Sequence, residues 1–593
     1  MGCYNACMSQ NKPRRVHIEI VTKTHKGTLY RSVLLRRTFR EDGKVKHETL
    51  GNLSDLPEDL IQVMRQRLAD GRPLAGNGGA VQILRSLPHG NVAAVLGTAR
   101  KIGLDRLLCS TRCRERDLVL AMIVDRVISP GSKLSGSVGL NEQTAQNTLA
   151  EELQLGDVDV HDLYGAMDWL LARQKRIENK LVKKHLSDGT LVLFDVSSSY
   201  YTGKKSSLIQ HGYSRDHRRD RPQIVYGLLC DRDGRPIAVE VFAGNTADPT
   251  AFTDLVQRIR KRFGIERVVF VGDRGMITTA RINEDLRGIE GLDWISALRS
   301  DSIKKLVKAG HVDRSLFDEA DLAEITAEDE FPGERLIVCR NPILAEERSR
   351  KREELLKATE KKLDVVVRAT QRKRNPLSGE REIGLRVGQV IGLYKMRKHF
   401  ELEITENSFS YSRREANIAA EAALDGLYVI RTSVSAETMT PEETVGAYKS
   451  LSQVERAFRS LKTVDLQLRP IYHHNDDRIR AHVFLCMLAY YVEWHMRARL
   501  REVLFEETDR QSAESERCSI VAPSVRSRSA RQKDATRTTE SGHPVQSFQD
   551  LLRDLATLCR CRLRLKSSDA EYHQLSESSS TQRRALELLE VVA

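Results

Sequence analysis

Three carboxylates in this 593-residue chain stand where a catalytic metal could use them. Leu191-Val-Leu-Phe194 and Val268-Val-Phe-Val271 are apolar, β-rich runs, the pattern of strands buried on both faces. Each delivers an acid as the strand ends: Asp195 in Leu-Phe-Asp-Val-Ser and Asp273 in Val-Gly-Asp-Arg-Gly. The third, Glu455, lies on a helix predicted from Glu442 to Lys462. There Tyr448, Glu455 and Lys462 recur seven residues apart and are expected to stack on one buried face beside Leu451 and Phe458. A carboxylate on such a face is costly unless a cation or hydrogen-bond donors compensate. Magnesium takes oxygen ligands, and two such ions sharing carboxylates activate a water or hydroxyl and stabilise the leaving oxygen in phosphodiester transfer. Each acid also has a plainer role: a strand-end Asp caps a helix or forms a turn, and Glu455 pairs with Lys462 or another cation.

The elements that must position these acids follow from hydrophobic period. Strands are predicted at Leu191–Val196, Ile224–Cys230, Pro236–Phe242, Arg267–Gly272 and Trp294–Leu298, with helices at Ala251–Phe263 and near Thr278–Leu286. The order β-β-β-α-β-α-β predicts an α/β fold, a mixed sheet covered by helices. Asp231-Arg-Asp-Gly234 makes the second and third strands a hairpin. Residues 301–424 interrupt this pattern. Asn341-Pro342 opens a helix that must stop at Asn375-Pro376, and its eleven Lys or Arg against six Asp or Glu over 345–375 suit a solvated charged helix better than a nucleic-acid-facing arm. Strand character returns at Leu427–Arg431, and Thr440-Pro-Glu-Glu443 caps the helix that carries Glu455.

Upstream, residues 1–50 hold eleven basic and four acidic residues in alternating segments, His17–Val21 and Thr28–Leu35, joined by a Lys26-Gly27 turn. Helical spacing follows at Asp59–Leu68, Val92–Ile102, Leu118–Ile128 and Leu163–Leu186, with Gly103 a helix C-cap or the turn of a helix-turn-helix. The chain is too long for one core. Its 95 Lys and Arg against 82 acids, a net charge of +13, suit a polyanionic partner. The ten cysteines, including Cys3-x3-Cys7, Cys109-x3-Cys113 and Cys559-x-Cys561, form no CxxC pair and no structural zinc set, and are read as reduced thiols. The longest apolar stretch, Ala481–Trp494, contains His482 and Glu493 and is too short for a bilayer. A cytoplasmic protein, nucleoid-associated when on DNA and without a membrane partner, is expected.

Further motifs surround the acids. They are Gly212-Tyr-Ser-Arg215-Asp-His-Arg-Arg219-Asp-Arg-Pro-Gln223, Gly244-Asn-Thr-Ala-Asp248, and Arg469-Pro-Ile-Tyr-His473-His474 with Arg478 and His482. With Asp195, Asp273 and Glu455 they make residues 190–500 resemble a DDE transposase of a bacterial insertion sequence, with a ribonuclease H-like catalytic core. The large insertion before the Glu-bearing helix resembles the insertion sequence four class. So does Tyr448-x6-Glu455-x6-Lys462, three of the four positions of its Tyr-x2-Arg-x3-Glu-x6-Lys signature. Leu451 stands where that signature has arginine, so the phosphate contact of that position would fall to Arg456 or Arg459.

The resemblance implies that Asp195, Asp273 and Glu455 bind two magnesium or manganese ions. It implies DNA contacts at Tyr448, Lys462, Arg215, Arg219, Arg459, Arg469 and His473. It implies cleavage at terminal inverted repeats, strand transfer into target DNA, and a homodimer in the synaptic complex. The chain then divides into a basic β unit (1–55), a helical, DNA-binding region (56–190), a core (191–300 and 425–506) split by an insertion (301–424), a disordered basic linker (507–546) and a helical tail (547–593). Two rivals remain. Phe-Asp195-Val-Ser and Gly-Asp273-Arg-Gly imitate a haloacid-dehalogenase-like phosphohydrolase, though Ser197 stands where that family needs a second Asp. Charge alone would also suit a non-catalytic DNA-binding protein.

Overall fold

The computed structural model describes residues 16–593 apart from 26–27, 42–43, 71–80, 204, 313, 318–319, 518, 523 and 567–569. The Lys26-Gly27 turn and the Cys3 and Cys7 pair lie outside the described residues. The chain forms two compact units, one of residues 1–88 with 558–577 and one of 89–557 with 578–593.

In the smaller unit β1 (Val16–His25), β2 (Thr28–Glu41) and β3 (Lys44–Asn52) form an antiparallel meander. The helix Glu58–Asp70 packs Ile61 against Ile18 and Val33, so the expected basic β unit extends to that helix. A separate sheet joins β4 (Val81–Pro88) to Cys559–Leu565, which pairs in turn with Glu571–Leu575. This corrects the expected helical tail: the helix from Phe548 ends at Ala556. Cys559-Arg-Cys-Arg-Leu-Arg-Leu has a period of two, and it becomes a strand because β4 offers an edge to pair with.

The larger unit is built on β5 (Thr190–Tyr200), β6 (Gln223–Asp231), β7 (Pro236–Ala243), β8 (Val268–Val271), β9 (Leu292–Ala297), β10 (Leu322–Ile325), β11 (Arg335–Arg340) and β14 (Leu427–Thr432), with β12 (Phe400–Ile404) and β13 (Phe409–Arg413) apart. The eight stand in the order β10-β11-β14-β9-β8-β5-β6-β7. Only the β5–β8 and β8–β9 pairings are parallel, so the sheet is mixed, as expected of a ribonuclease H-like core. The interruption is smaller than its sequence suggested, because β10 and β11 extend this sheet through β14. Their four and six residues are too short to show a period before the charged helix takes over. What stands apart is the helix Pro342–Thr370, the helix Glu380–Tyr394 and the β12–β13 hairpin, which share a core of Leu356, Leu363, Val366, Ile383, Val387 and Phe409. Asn341 caps the first of these helices, its side chain accepting from Leu344 N–H at 3.1 Å.

Helices Gly90–Lys101, Arg114–Ile128 and Val160–His185 pack around Asp476–Leu500, whose apolar run Ala481–Val492 is buried among them. Among the described residues no helix is long and apolar enough to cross a membrane. Gly103, at φ +75°, ends the helix Gly90–Lys101 and precedes the short helix Leu104–Leu108. Residues 507–546, expected to be disordered, carry the capped helices Arg510–Ser515 and Arg528–Thr536. Polar anchors hold them. Lys449 Nζ donates to the carbonyls of Ile520, Val521 and Ala522, each at 2.7 Å, and the buried Lys533 donates to those of Arg501 and Glu506. Such anchors leave no apolar period in the sequence.

At the β11–β14 pairing Arg431 and Glu334, both 3% exposed, meet through two nitrogens at 2.5 and 2.6 Å, and Arg287 reaches the same carboxylate at 2.7 Å. Removing one partner of a buried pair strands the other charge. Glu334→Ala is therefore expected to lower unfolding free energy by about 3–5 kcal/mol in urea denaturation; a loss below about 1 kcal/mol would place it with exposed pairs.

Candidate active site

The parallel register of β5 and β8 sets two of the three acids side by side. Leu193 pairs with Val271, and Asp195 and Asp273 each lie two residues further on. Asp195 continues β5, and Asp273 follows two residues past the end of β8, near enough to push Asp195 up. The turn after β8 begins at once, since the Asp273 carbonyl accepts from Met276 and Ile277 N–H. Gly272 lies close against the turn: a Cβ there would fall 2.6 Å from Met276 Cε and 2.8 Å from Ile277 Cδ1.

A strand period of two shows which helix covers the face of β5 that carries Asp195. Ser197 shares it with Asp195 and pairs with Tyr226, whose ring lies 5.6 Å from that of Phe458. Helix Leu451–Arg459, which carries Glu455, thus lies over that face. The opposite face packs Phe194 against Gly227 and the helix Asp248–Arg258. At the β6–β7 turn Gly234 meets Gln453 so closely that a Cβ would fall 2.5 Å from it.

Glu455 itself is exposed, not buried as expected. The buried face carries Val454, Ala457 and Phe458. Nor is the helix continuous: Pro441–Lys449, with its Thr440–Glu443 capping box, ends at Ser450, a second helix runs from Leu451 to Arg459, and a wider π-helical turn spans Ser460–Val464. The interval of seven therefore does not stack Tyr448, Glu455 and Lys462. Tyr448 remains the common neighbour of the acids: burial first, then Asp273, Glu455 and Asp195, raise its phenol to about 12 against the pull of Arg274. Among the described residues no three His, Cys, Asp or Glu side chains converge closely enough to hold one metal ion as they stand.

The basic residues separate into two groups. Lys462 and Arg469 both bind Asp216, at 3.0 and 2.6 Å, and Arg215 binds Asp248 at 2.5 Å. Arg456 is held by Glu506 at 2.5 Å. Arg219 and Arg459 are exposed and make no ion pair among the described residues. His473 is half-buried, its ring 5.2 Å from that of His482, and burial lowers its pKa to about 3, so it is neutral. Asp216 and Asp248, the organising acids, were missed as site residues although both stand inside quoted motifs.

Residues 187–492 match the family of the transposase DDE domain, and residues 18–73 match the N-terminal domain of the IS1634 family transposases. The chain belongs to the DDE transposase family. The cryo-EM structure of a piggyBac transposase synaptic complex with hairpin DNA is similar at 10% identity and a TM-score of 0.33, covering 84% of this chain and 79% of that one. No characterised protein matches in a sequence comparison. These matches give no support to the phosphohydrolase or to the non-catalytic binder. The protein is a transposase of the metal-dependent polynucleotidyl transferase type, and its partner is DNA.

In the transposase Asp195 is held well above the ordinary carboxylate range. Burial pushes it up to about 7; Val196 N–H, at 2.7 Å, and Arg215 pull it down, while Asp273 and Asp248 raise it further. Between the ordinary carboxylate range and about 7 the native state holds the proton that the unfolded chain has lost, so stability falls as pH rises through that window. Asp195→Asn carries no such charge. Without divalent cations its melting temperature should match wild type near about pH 4 and exceed it increasingly toward about pH 8, by scanning fluorimetry; a gap that narrows with rising pH would contradict the assignment.

Proposed function

We propose that Asp195, Asp273 and Glu455 hold the divalent cations of this transposase, two ions of magnesium or manganese, where it cuts the ends of its element and joins the freed 3′ ends to target DNA. The observation carrying this is the β5–β8 pairing, which puts Asp195 and Asp273 at neighbouring strand ends beside the Glu455 helix. The donor set fits hard cations: all are carboxylate oxygens, and Asp273 and Glu455 are exposed and free of ion pairs among the described residues. Bound there, the ions lower the pKa of the attacking water or 3′-hydroxyl and neutralise charge on the leaving oxygen.

The chain's own groups do the rest. Asp195 is raised to about 7 by burial, so cations bound beside it favour its charged form, and cation binding and proton loss are linked. Tyr448 keeps its proton and offers a phenolic donor among the acids. Arg219 and Arg459 reach DNA phosphates, Arg459 taking the contact that Leu451 cannot make. Lys462, Arg215 and Arg469 hold the loop after β5 through Asp216 and Asp248, shaping the DNA-facing surface. The basic β unit and the helical region recognise the terminal inverted repeats, and two copies each hold one element end.

End-labelled duplexes bearing the flanking inverted repeats test this with magnesium or manganese. Asp273→Ala and Glu455→Gln should keep DNA binding and lose cleavage by at least about a hundredfold, the scale of several kcal/mol of metal-assisted stabilisation. Equal cutting by both variants and wild type would remove the site. Arg459→Gln should instead weaken duplex binding and lower its salt dependence, with the metal requirement unchanged.

A further inference from the structure

The inserted helices meet the sheet along a basic groove that the active site does not use. One cavity of about 840 Å³ lies between the helix Ser300–Lys308, the helix Pro342–Thr370 and the start of β14, and Lys308, Arg348 and Lys351 stand on its walls. A second, of about 490 Å³, is lined by Lys395, Arg397, Lys398 and Arg414 with Phe400 and Leu402, and by no acid. Lys395 and Lys398 line both, so the two adjoin.

The pairing of these charges leaves the groove strongly positive. Nine Lys or Arg line the two cavities against two acids, Asp425 and Glu421. Both acids are already taken, Asp425 by Arg352 at 3.0 and 2.5 Å, Glu421 by Lys398 at 2.6 Å and His399 at 2.8 Å. Lys308, Arg348, Lys351, Lys395, Arg397 and Arg414 are exposed and make no ion pair among the described residues. Six unpaired cations on the walls of one groove set up a potential that draws in a polyanion. None of the six is buried, which suits phosphates strung along a duplex backbone better than a small anion that a pocket must enclose.

Strand register puts this groove at the end of the sheet where the acids stand. Val271 of β8 pairs with Ile295, and Ala297, two residues further along β9, pairs with Ile430. Because β14 runs antiparallel to β9, Leu427 lies beyond the end of β9, on the side to which β8 delivers Asp273. Leu427 and Ser300, three residues past β9, line the same cavity. Two strand spacings separate β14 from β8 and three residues separate Leu427 from Ile430, about 10 Å each, so the groove begins roughly 15 Å from the acids. That is less than half a turn of duplex, a turn being about 34 Å.

We infer that this groove binds the backbone of the duplex on which the active site works, taking phosphates from about five base pairs beyond the bond that is cut. The distance from the cut rests on the site proposed above; the binding of backbone phosphates rests on the groove alone.

The full chain carrying Lys395→Gln, Arg397→Gln and Arg414→Gln tests this, with duplex binding followed against salt in the absence of divalent cations. The slope of log affinity on log salt should fall by about two to three, on element-end and unrelated duplexes alike, since each phosphate contact contributes about 0.9. The melting temperature without DNA should not change. Arg348→Gln with Lys351→Gln, in the larger cavity, should lower the slope by about one to two. Unchanged slopes in both variants would overturn the groove. If inorganic phosphate raises the melting temperature of wild type but not of the triple variant while the slopes stay equal, the ligand is a small anion and the DNA assignment is wrong. Trimming the duplex to fewer than about five base pairs on one side of the cut should erase the difference between wild type and the triple variant; a difference that survives trimming on either side would put a separate duplex in the groove. Cleavage by Asp273→Ala is scored on the same duplexes: if that variant cuts, the catalytic reading falls while the salt slopes still decide the groove.

Discussion

The parallel pairing of β5 with β8 is the constraint on which the site depends. Parallel strands in register end side by side, so the ladder up to Leu193 and Val271 sets the chain that follows it, with Asp195 and Asp273, at one end of the sheet. No side-chain contact is needed. The crossover from β7 through helix Asp248–Arg258 to β8 makes that pairing possible, and it brings Asp248 to the rim, where it holds Arg215. The same ladder that sets the acids at one end of the sheet thus supplies the anchor for the basic loop beside them.

Asp216 organises the other side of that loop. It is 4% exposed at its side chain and takes Lys462 and Arg469 from the chain beyond the Glu455 helix, while accepting from Tyr200 N–H at the end of β5. A buried ion pair adds little net stability after desolvation, but it fixes geometry. Here it ties the sheet to segments more than 240 residues downstream. Arg497 does comparable work behind the helix, binding Glu493, Asp465 and Glu506, while Glu493 accepts from Ser460 in the π-helical turn. The chain beyond the Glu455 helix is thus held by charge, and the helix itself by Val454, Ala457 and Phe458.

Much of the core was legible from hydrophobic period. The strands leading to Asp195 and Asp273 are apolar enough to be unambiguous, and the Thr440–Glu443 cap and the Asn341 cap are local signals that tertiary contacts did not override. The failures share a cause: they depend on partners distant in sequence. Leu322–Ile325 and Arg335–Arg340 are strands because β14 is there to pair with, and Cys559–Leu565 because β4 is. Residues 507–546 are ordered by lysines whose ammonium groups find backbone carbonyls. Composition registers those lysines and serines only as polarity.

The misplacement of Glu455 has a different origin and bears on how such a site works. Seven-residue spacing marks one face only while the helix continues unbroken, and here the helix stops at Ser450 and widens at Ser460. Three ionised carboxylates crowded into a partly buried pocket repel one another, and the repulsion strengthens as local dielectric falls. Asp195 already answers that stress by holding its proton, with Asp273 contributing to the shift. Glu455 instead stands in solvent, where its charge stays hydrated. Its helix, Leu451–Arg459, lies between the breaks at Ser450 and Ser460 and meets the sheet through Val454, Ala457 and Phe458, so the face that carries Glu455 is the one left in water.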